Sequence, residues 1–297
     1  MASTVKAGST RRRRTAAQIA QLDQQILDVL QSDRPQSIRH IFYCMTDPRL
    51  PVPVEKSDKG YRDVQRRCTE MRRASTLPYT WLADMTRHGF FTPTYSDESE
   101  FLESIAGEFR ADVWNGASVI VEVWVESRSI ASVLIDLCRK YAVDLYPCGG
   151  FSSITFVHEA AQELNYRLPD GGDVAIYYVG DLDPAGVLIP QNAEAELRLH
   201  LAPGINLSFI RLAITDEQVT DYDLPTKPRK VSDRRALHIK TAVEAEAMPA
   251  HILRSLVQSA IEAHLPPRAL ELSRLQEESA RLFLQRIAAA KRKGLQH

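Results

Sequence analysis

Two short apolar runs in this chain each end in acid, and that pattern constrains the fold more than any other feature. Val174-Ala175-Ile176-Tyr177-Tyr178-Val179 runs through Gly180 into Asp181-Leu182-Asp183-Pro184-Ala185-Gly186, and Val119-Ile120-Val121-Glu122-Val123-Trp124-Val125 ends at Glu126. Near-continuous apolar runs of this length are expected as strands buried on both faces, which belong to parallel sheets covered by helices. Parallel strands share a carboxyl edge, where open α/β sheets place their ligands. Residues i and i+2 of an extended segment face one side, so Asp181 and Asp183 are expected to face one spot, with Glu126 on the same edge. Carboxylates so placed repel unless a cation lies between them, and hard divalent ions prefer carboxylate oxygen. A three-carboxylate metal site is expected. Acids also suit helix N-caps, which accounts well for Asp183 and poorly for Glu126. Glu122 lies on the same strand face as Glu126 and is the alternative glutamate. Glu126 is preferred because it sits at the strand end.

The segments between these runs extend the alternation. Strands are expected at 119–125, 143–147, 174–179 and 206–214, with helices at 129–141, 153–167 and 187–200 between them. That order predicts a parallel sheet with helices on both faces. Further helices are expected near 249–264 and 268–293, after a loop rich in proline and basic residues (Leu224 to Arg235).

The first third reads differently. Residues 1–14 are small, polar and then basic (Arg11, Arg12, Arg13, Arg14), as in a disordered arm. Ile19, Leu22, Ile26, Val29 and Leu30 mark an amphipathic helix. Ser37 suits the cap of a short second helix with Ile38, Phe42 and Met45 inward. Tyr61, Val64, Cys68 and Met71 stripe a third helix, and Arg62, Arg66 and Arg73 fall within roughly 40° of one another on its opposite face. Such a stripe is ordinarily a solvated surface. Three short helices with arginines on the third also suit a helix-turn-helix that meets DNA, with Leu77-Pro78-Tyr79 and Trp81-Leu82-Ala83 as its wing.

Composition sets the outer limits. At 297 residues, 44% hydrophobic and 25% charged, the chain has room for two domains with real cores. It contains no apolar stretch of bilayer-spanning length and no secretory signal. Its four cysteines show no zinc spacing, so a reducing cytoplasm, near the nucleoid, is expected. With 37 basic against 38 acidic residues the net charge is −1, so attraction to DNA must come from local basic patches.

Together, the Glu126 and Asp181-Leu182-Asp183 strand ends resemble the two signatures of the Toprim domain. A helical DNA-binding domain followed by Toprim is similar to the A subunit of DNA topoisomerase VI and its Spo11-like relatives, and the short length to their compact forms in mobile elements. Ser37-Ile38-Arg39-His40-Ile41-Phe42-Tyr43 resembles the stretch of that family ending in the active-site tyrosine. The resemblance covers roughly residues 15–215. It implies a winged-helix domain (15–83), a linker (84–117), a Toprim domain (118–215) and C-terminal loop and helices (216–297). It further implies Tyr43 as nucleophile beside Arg39, and Glu126, Asp181 and Asp183 as ligands of Mg²⁺, or of Mn²⁺ in its place. The reaction implied is transesterification of duplex DNA to a 5′-phosphotyrosyl link. A homodimer is implied, each tyrosine serving the other chain's Toprim, and with it a separate ATPase subunit, because no Gly-x-x-x-x-Gly-Lys-Ser/Thr loop occurs here. The family's usual lysine after the glutamate is Ser127 in this chain.

From the residues alone, Arg39 and Tyr43 are i and i+4 on one helix face. Both lie off the Ile38-Phe42-Met45 stripe, so the phenol is expected to be free to meet solvent or ligand. Two other readings use the same residues: a Toprim nuclease in which water attacks, and a DNA-binding protein whose carboxylates are structural.

Overall fold

The computed structural model describes residues 14–83, 92–149, 154–228 and 241–294. The chain divides into two compact units, residues 1–83 and 84–297.

The first unit is built on three helices, α1 (Ala16–Ser32), α2 (Ile38–Met45) and α3 (Asp58–Arg73). Each starts where a hydroxyl residue accepts an otherwise orphaned backbone N–H: Thr15 from Gln18, Ser37 from His40 and Ser57 from Gly60. Leu22, Ile26 and Leu30 of α1 meet Ile41, Phe42 and Met45 of α2 and Val64, Cys68 and Met71 of α3 in one buried core. Arg67 of α3 ties back to Asp23 of α1. The segments expected to form a wing instead make a 3-10 turn (Tyr79–Trp81) and a single parallel bridge from Leu82 to Gln36. Arg72 and Arg34 lie over the rings of Tyr79 and Trp81 there, at 4.9 and 4.5 Å.

The second unit begins with α4 (Glu98–Ala106), in a stretch expected to be linker. Then follow β1 (Val119–Val125), α5 (Arg128–Lys140), β2 (Asp144–Pro147), α6 (Ile154–Arg167), β3 (Gly172–Val179), α7 (Pro184–His200) and β4 (Ile205–Ala213). A short α8 (Asp216–Asp221), a two-residue pair β5 (Lys227–Pro228) and β6 (Thr241–Ala242), a 3-10 turn (Ala245–Ala247), α9 (Ala250–Glu262) and α10 (Ala269–Gly294) complete it. The four longer strands form one parallel sheet in the order β2-β1-β3-β4. The chain therefore steps from β1 outward to β2, then crosses to the other side of β1 for β3 and β4. The reversal of winding lies between β1 and β3.

On one face of the sheet, Trp124, Ile176, Tyr178 and Leu207 pack under Val157, Ala161 and Leu164 of α6 and Ile189, Ala193 and Leu197 of α7. Trp124 is wholly buried, with its ring stacked on Tyr146 at 5.1 Å and edge-on to Phe156 and Phe209. On the other face lie α5 and α9. No helix among the described residues is long and apolar enough to cross a membrane.

Candidate functional site at the carboxyl edge of the sheet

Strand register brings the two acidic turns together. Val125 pairs with Val179, so β1 and β3 end level with each other. Glu126 N–H still donates to Val179 O at 2.9 Å, and Gly180 N–H donates to Ala213 O of β4 at 2.8 Å. Glu126 and Asp181 thus leave the sheet side by side, at the point where the winding reverses. Glu126 Oε2 accepts the Asp181 backbone N–H at 2.8 Å, with the Tyr178 hydroxyl donating to the same oxygen at 3.5 Å.

Asp183 takes a different part. It is the N-cap of α7, where one carboxylate oxygen accepts from Ala185 N–H at 2.9 Å and Gly186 N–H at 2.6 Å, with Pro184 in the first helical turn. Asp181 Oδ1 accepts the Ala245 N–H at 2.8 Å. That donor is delivered by an antiparallel bridge between Leu182 and Val243. Both aspartates are therefore engaged with backbone, and among the described residues no three His, Cys, Asp or Glu side chains are arranged to hold a metal ion. The donor set itself suits a hard divalent ion, being carboxylate oxygen throughout.

The electrostatics are those of crowded acids. Burial, and then the charges of Glu126 and Glu246, push the Asp181 carboxyl up to about 8, against the Ala245 N–H. Glu126 is also raised, by burial first, with the Asp183 and Glu246 charges adding to it and the Asp181 N–H and Arg211 opposing. Each carboxylate disfavours ionisation of the next, and a cation would relieve this.

Two residues of this edge escaped the reading of the sequence. Arg211, a lone cation in the apolar run of β4, sends its guanidinium into the turn, donating to the carbonyls of Gly180 and Asp181 at 3.2 Å each and Ile214 at 3.1 Å, and also to Gly186. Its plane lies 5.3 Å from the Tyr178 ring centre. The arginine thus fixes the backbone that carries Asp181 and positions α7. Glu246 is buried in the 3-10 turn that caps Asp181. The Glu244-x-Glu246 spacing behind Val243 was its only signal.

Glu122, the alternative glutamate, lies inside the sheet core with no exposure. Its Oε2 accepts the Trp124 indole N–H at 2.8 Å, and burial pushes its carboxyl up to about 7. It is four residues short of the edge.

Tyr43 and Arg39 lie in the first unit, and the expectation of a free phenol needs correction. Tyr43 is only 6% exposed. An eight-residue helix held among other elements buries more than one face: His40, Ile41, Phe42, Tyr43 and Met45 are all covered. The Tyr43 ring lies 5.4 Å from that of Phe42, with the Lys56 ammonium 5.7 Å from its centre. Arg39 lies over the ring of Tyr61, at 4.9 Å.

Of the residues expected to meet DNA, Arg62, Arg66 and Arg73 are exposed on α3. Arg66 lies 3.4 Å from Asp63 and 4.0 Å from Glu70. Arg14, expected in a free arm, stands just ahead of the α1 cap and pairs with Asp63 at 2.8 Å. Arg11, Arg12 and Arg13 lie outside the described residues, as does the basic loop beyond Pro228. Compared with family models, curated proteins and solved structures, the chain matches none.

Proposed function

We propose that this protein cleaves DNA phosphodiesters at the acidic edge of the second unit, in the manner of a type IIB topoisomerase A subunit with winged-helix and Toprim domains. The observation that carries this reading is the meeting of Glu126 and Asp181 at the reversal of winding between β1 and β3, where parallel α/β sheets place ligands. The exposed Arg62, Arg66 and Arg73 on α3 supply phosphate contacts without reading sequence. Double-stranded DNA is the substrate, a homodimer the working form and a separate ATPase subunit the partner for strand passage.

Glu126, Asp181 and Asp183 would hold the divalent cation, Mg²⁺ or Mn²⁺, with Glu246 adjacent; when bound it neutralises charge on the phosphate. To take part, Asp183 must turn one oxygen away from the α7 cap or offer its second. Tyr43 Oη attacks phosphorus and gives up its proton to solvent. The bond from phosphorus to the 3′ oxygen breaks, and that oxygen takes a proton to become a hydroxyl. The 5′-phosphotyrosyl link conserves the phosphodiester's energy, so the reverse step reseals the strand with no further reactant. A phenol titrates near 10, and the Lys56 ammonium lies 5.7 Å from the centre of the Tyr43 ring.

The burial of Tyr43 favours a second reading, in which water attacks the phosphate and the tyrosine is structural. One experiment separates them. Supercoiled plasmid is incubated with the protein and Mg²⁺ or Mn²⁺, quenched with detergent, and tested for protein-linked DNA. Covalent adducts that vanish in Tyr43→Phe support the tyrosine. Metal-dependent cuts without adducts, undiminished in Tyr43→Phe, support water. DNA binding with no cleavage in either metal overturns both.

A further inference from the structure

The second unit holds a basic cavity of about 510 Å³, lined by the loop after α4, the end of α5 and the first half of α10. It is remote from the acidic edge. α5 starts at that edge, since its cap Ser127 directly follows Glu126. The helix then runs 13 residues, about 20 Å, before its last turn brings Arg139 and Lys140 to the cavity. Four arginines line the wall, Arg110, Arg139, Arg274 and Arg281, together with Lys140. Only two carboxylates, Asp136 and Glu277, line it with them. Glu277 organises one side. It accepts the Ala111 N–H at 3.3 Å, and one of its oxygens takes both Arg110 at 3.3 Å and Arg281 at 2.8 Å. One carboxylate thus holds two guanidiniums together and neutralises the charge of one. Asp136 lies 3.7 Å from Arg139, with both side chains largely exposed, a pair that water screens. Lys140 donates to the Tyr141 hydroxyl at 3.1 Å, which in turn donates to Glu262. Arg274 forms no hydrogen bond or ion pair with any described residue. Cations suit the last turn of a helix, which accounts for Arg139 and Lys140 but not for the three other arginines.

We propose that this cavity binds a free oligophosphate, an anion of two or more linked phosphate groups. A guanidinium presents five N–H donors in a fork that matches phosphate oxygens two at a time. Arg110 uses one of its donors on Glu277, and Arg274 uses none within the described residues. With Glu262 counted beside the two lining carboxylates, positive charge still exceeds negative across the wall. That excess suits an anion of several charges better than the single charge of one phosphodiester. Among the lining residues only Leu270 is apolar and none is aromatic, so a nucleobase would find no ring to stack on. The volume lies within the range of small-ligand pockets, and a recess admits a compact anion more readily than a duplex, which meets only its rim. The site uses none of the residues assigned to cleavage or to DNA and stands whether or not that reading holds.

Calorimetric titration of the full chain with sodium tripolyphosphate, at low salt and without divalent ions or DNA, tests it. Wild type should bind one equivalent. Arg274→Gln should weaken that binding about tenfold, the scale of one hydrogen bond to a charged group, and Arg139→Gln added to it should weaken it further. Melting without ligand should be unchanged, because both side chains are exposed. Asp136→Asn should tighten binding about two- to fivefold by removing an exposed opposing charge, a gain that no folding defect can imitate. A wild type that ignores millimolar tripolyphosphate overturns the proposal, as does binding undiminished in Arg274→Gln with Arg139→Gln. Binding lost instead on changing Arg62, Arg66 and Arg73 to Ala places the anion on the first unit and also overturns it. A short DNA duplex is titrated in parallel. If the cavity variants weaken the duplex as much as they weaken tripolyphosphate, the ligand is backbone phosphate and the free oligophosphate is overturned. Cleavage assays read none of these outcomes, so the two proposals fail separately.

Discussion

Asp181→Asn offers the sharpest test of the crowded acidic edge, because it removes a charge and almost nothing else. The asparagine oxygen can still accept the Ala245 N–H that Asp181 accepts at 2.8 Å. Burial, with Glu126 and Glu246, raises the Asp181 carboxyl from an ordinary 3.8 to about 8 in the folded chain. A folded value above the unfolded one means that the native state holds the proton more tightly. The resulting stability is fully present below about pH 4 and is lost as pH rises toward and through about 8. The gap is about four units at about 1.4 kcal/mol each, on the order of 5 kcal/mol as an upper bound. Side-chain relaxation, water entry and sharing of the proton with Glu126 reduce that, and a change of about 2 kcal/mol or more is expected. The assay is urea unfolding in a chelator at pH 5 and pH 9, followed by tryptophan fluorescence in a Trp81→Phe background. The signal then comes from Trp114 and Trp124 of the second unit. Wild type should weaken from pH 5 to pH 9, whereas Asp181→Asn should exceed it only modestly at pH 5 and by much more at pH 9. Adding Mg²⁺ at pH 9 should restore wild type and leave the variant unchanged, since only an ion bound by the native state shifts the transition. A wild-type stability that is flat from pH 5 to 9, with no gain in Asp181→Asn, would show that the Asp181 carboxyl is not raised in the folded chain.

Glu122→Gln should follow the same sign at a different place. Its carboxyl is raised to about 7 by burial, so the variant should match wild type near pH 5 and be more stable by about 1–3 kcal/mol above pH 8, read by the same urea curves. Changing Arg62, Arg66 and Arg73 to Ala should flatten the dependence of log DNA affinity on log salt by about two to three, at about 0.9 for each phosphate left unneutralised. An unchanged slope in the folded variant would send the DNA elsewhere. Gly186→Ala should cost about 3 kcal/mol or more, because a Cβ there would run into the Asp181 carbonyl, backbone that cannot yield; thermal melting checks it.

What the sequence reveals here and what it hides divide along the range of the interactions. The strand at Val119–Val125 and the helix at Ile38–Met45 end where their residues alone suggest, because an apolar run and a serine cap are local signals. The level ends of β1 and β3 follow from both being buried apolar runs in one parallel sheet, so the pairing of Glu126 with Asp181 was legible in outline. Local signals fail where a distant partner decides. The Glu98–Ala106 stretch looks like linker because its own apolar face is thin, and it is helical where Ser99, Glu98 and Glu103 meet Ala288, Lys291 and Arg292 of α10. Tyr43 looks exposed on a helical wheel, since a wheel knows one partner surface and α2 has several. Among the described residues, Glu246 reaches the acidic edge through the Leu182–Val243 bridge and the Ala245–Asp181 hydrogen bond, contacts between residues about sixty positions apart. The same bridge delivers the N–H of Ala245 to Asp181 Oδ1. The segment that adds a fourth acid to the edge is therefore also the one that engages Asp181.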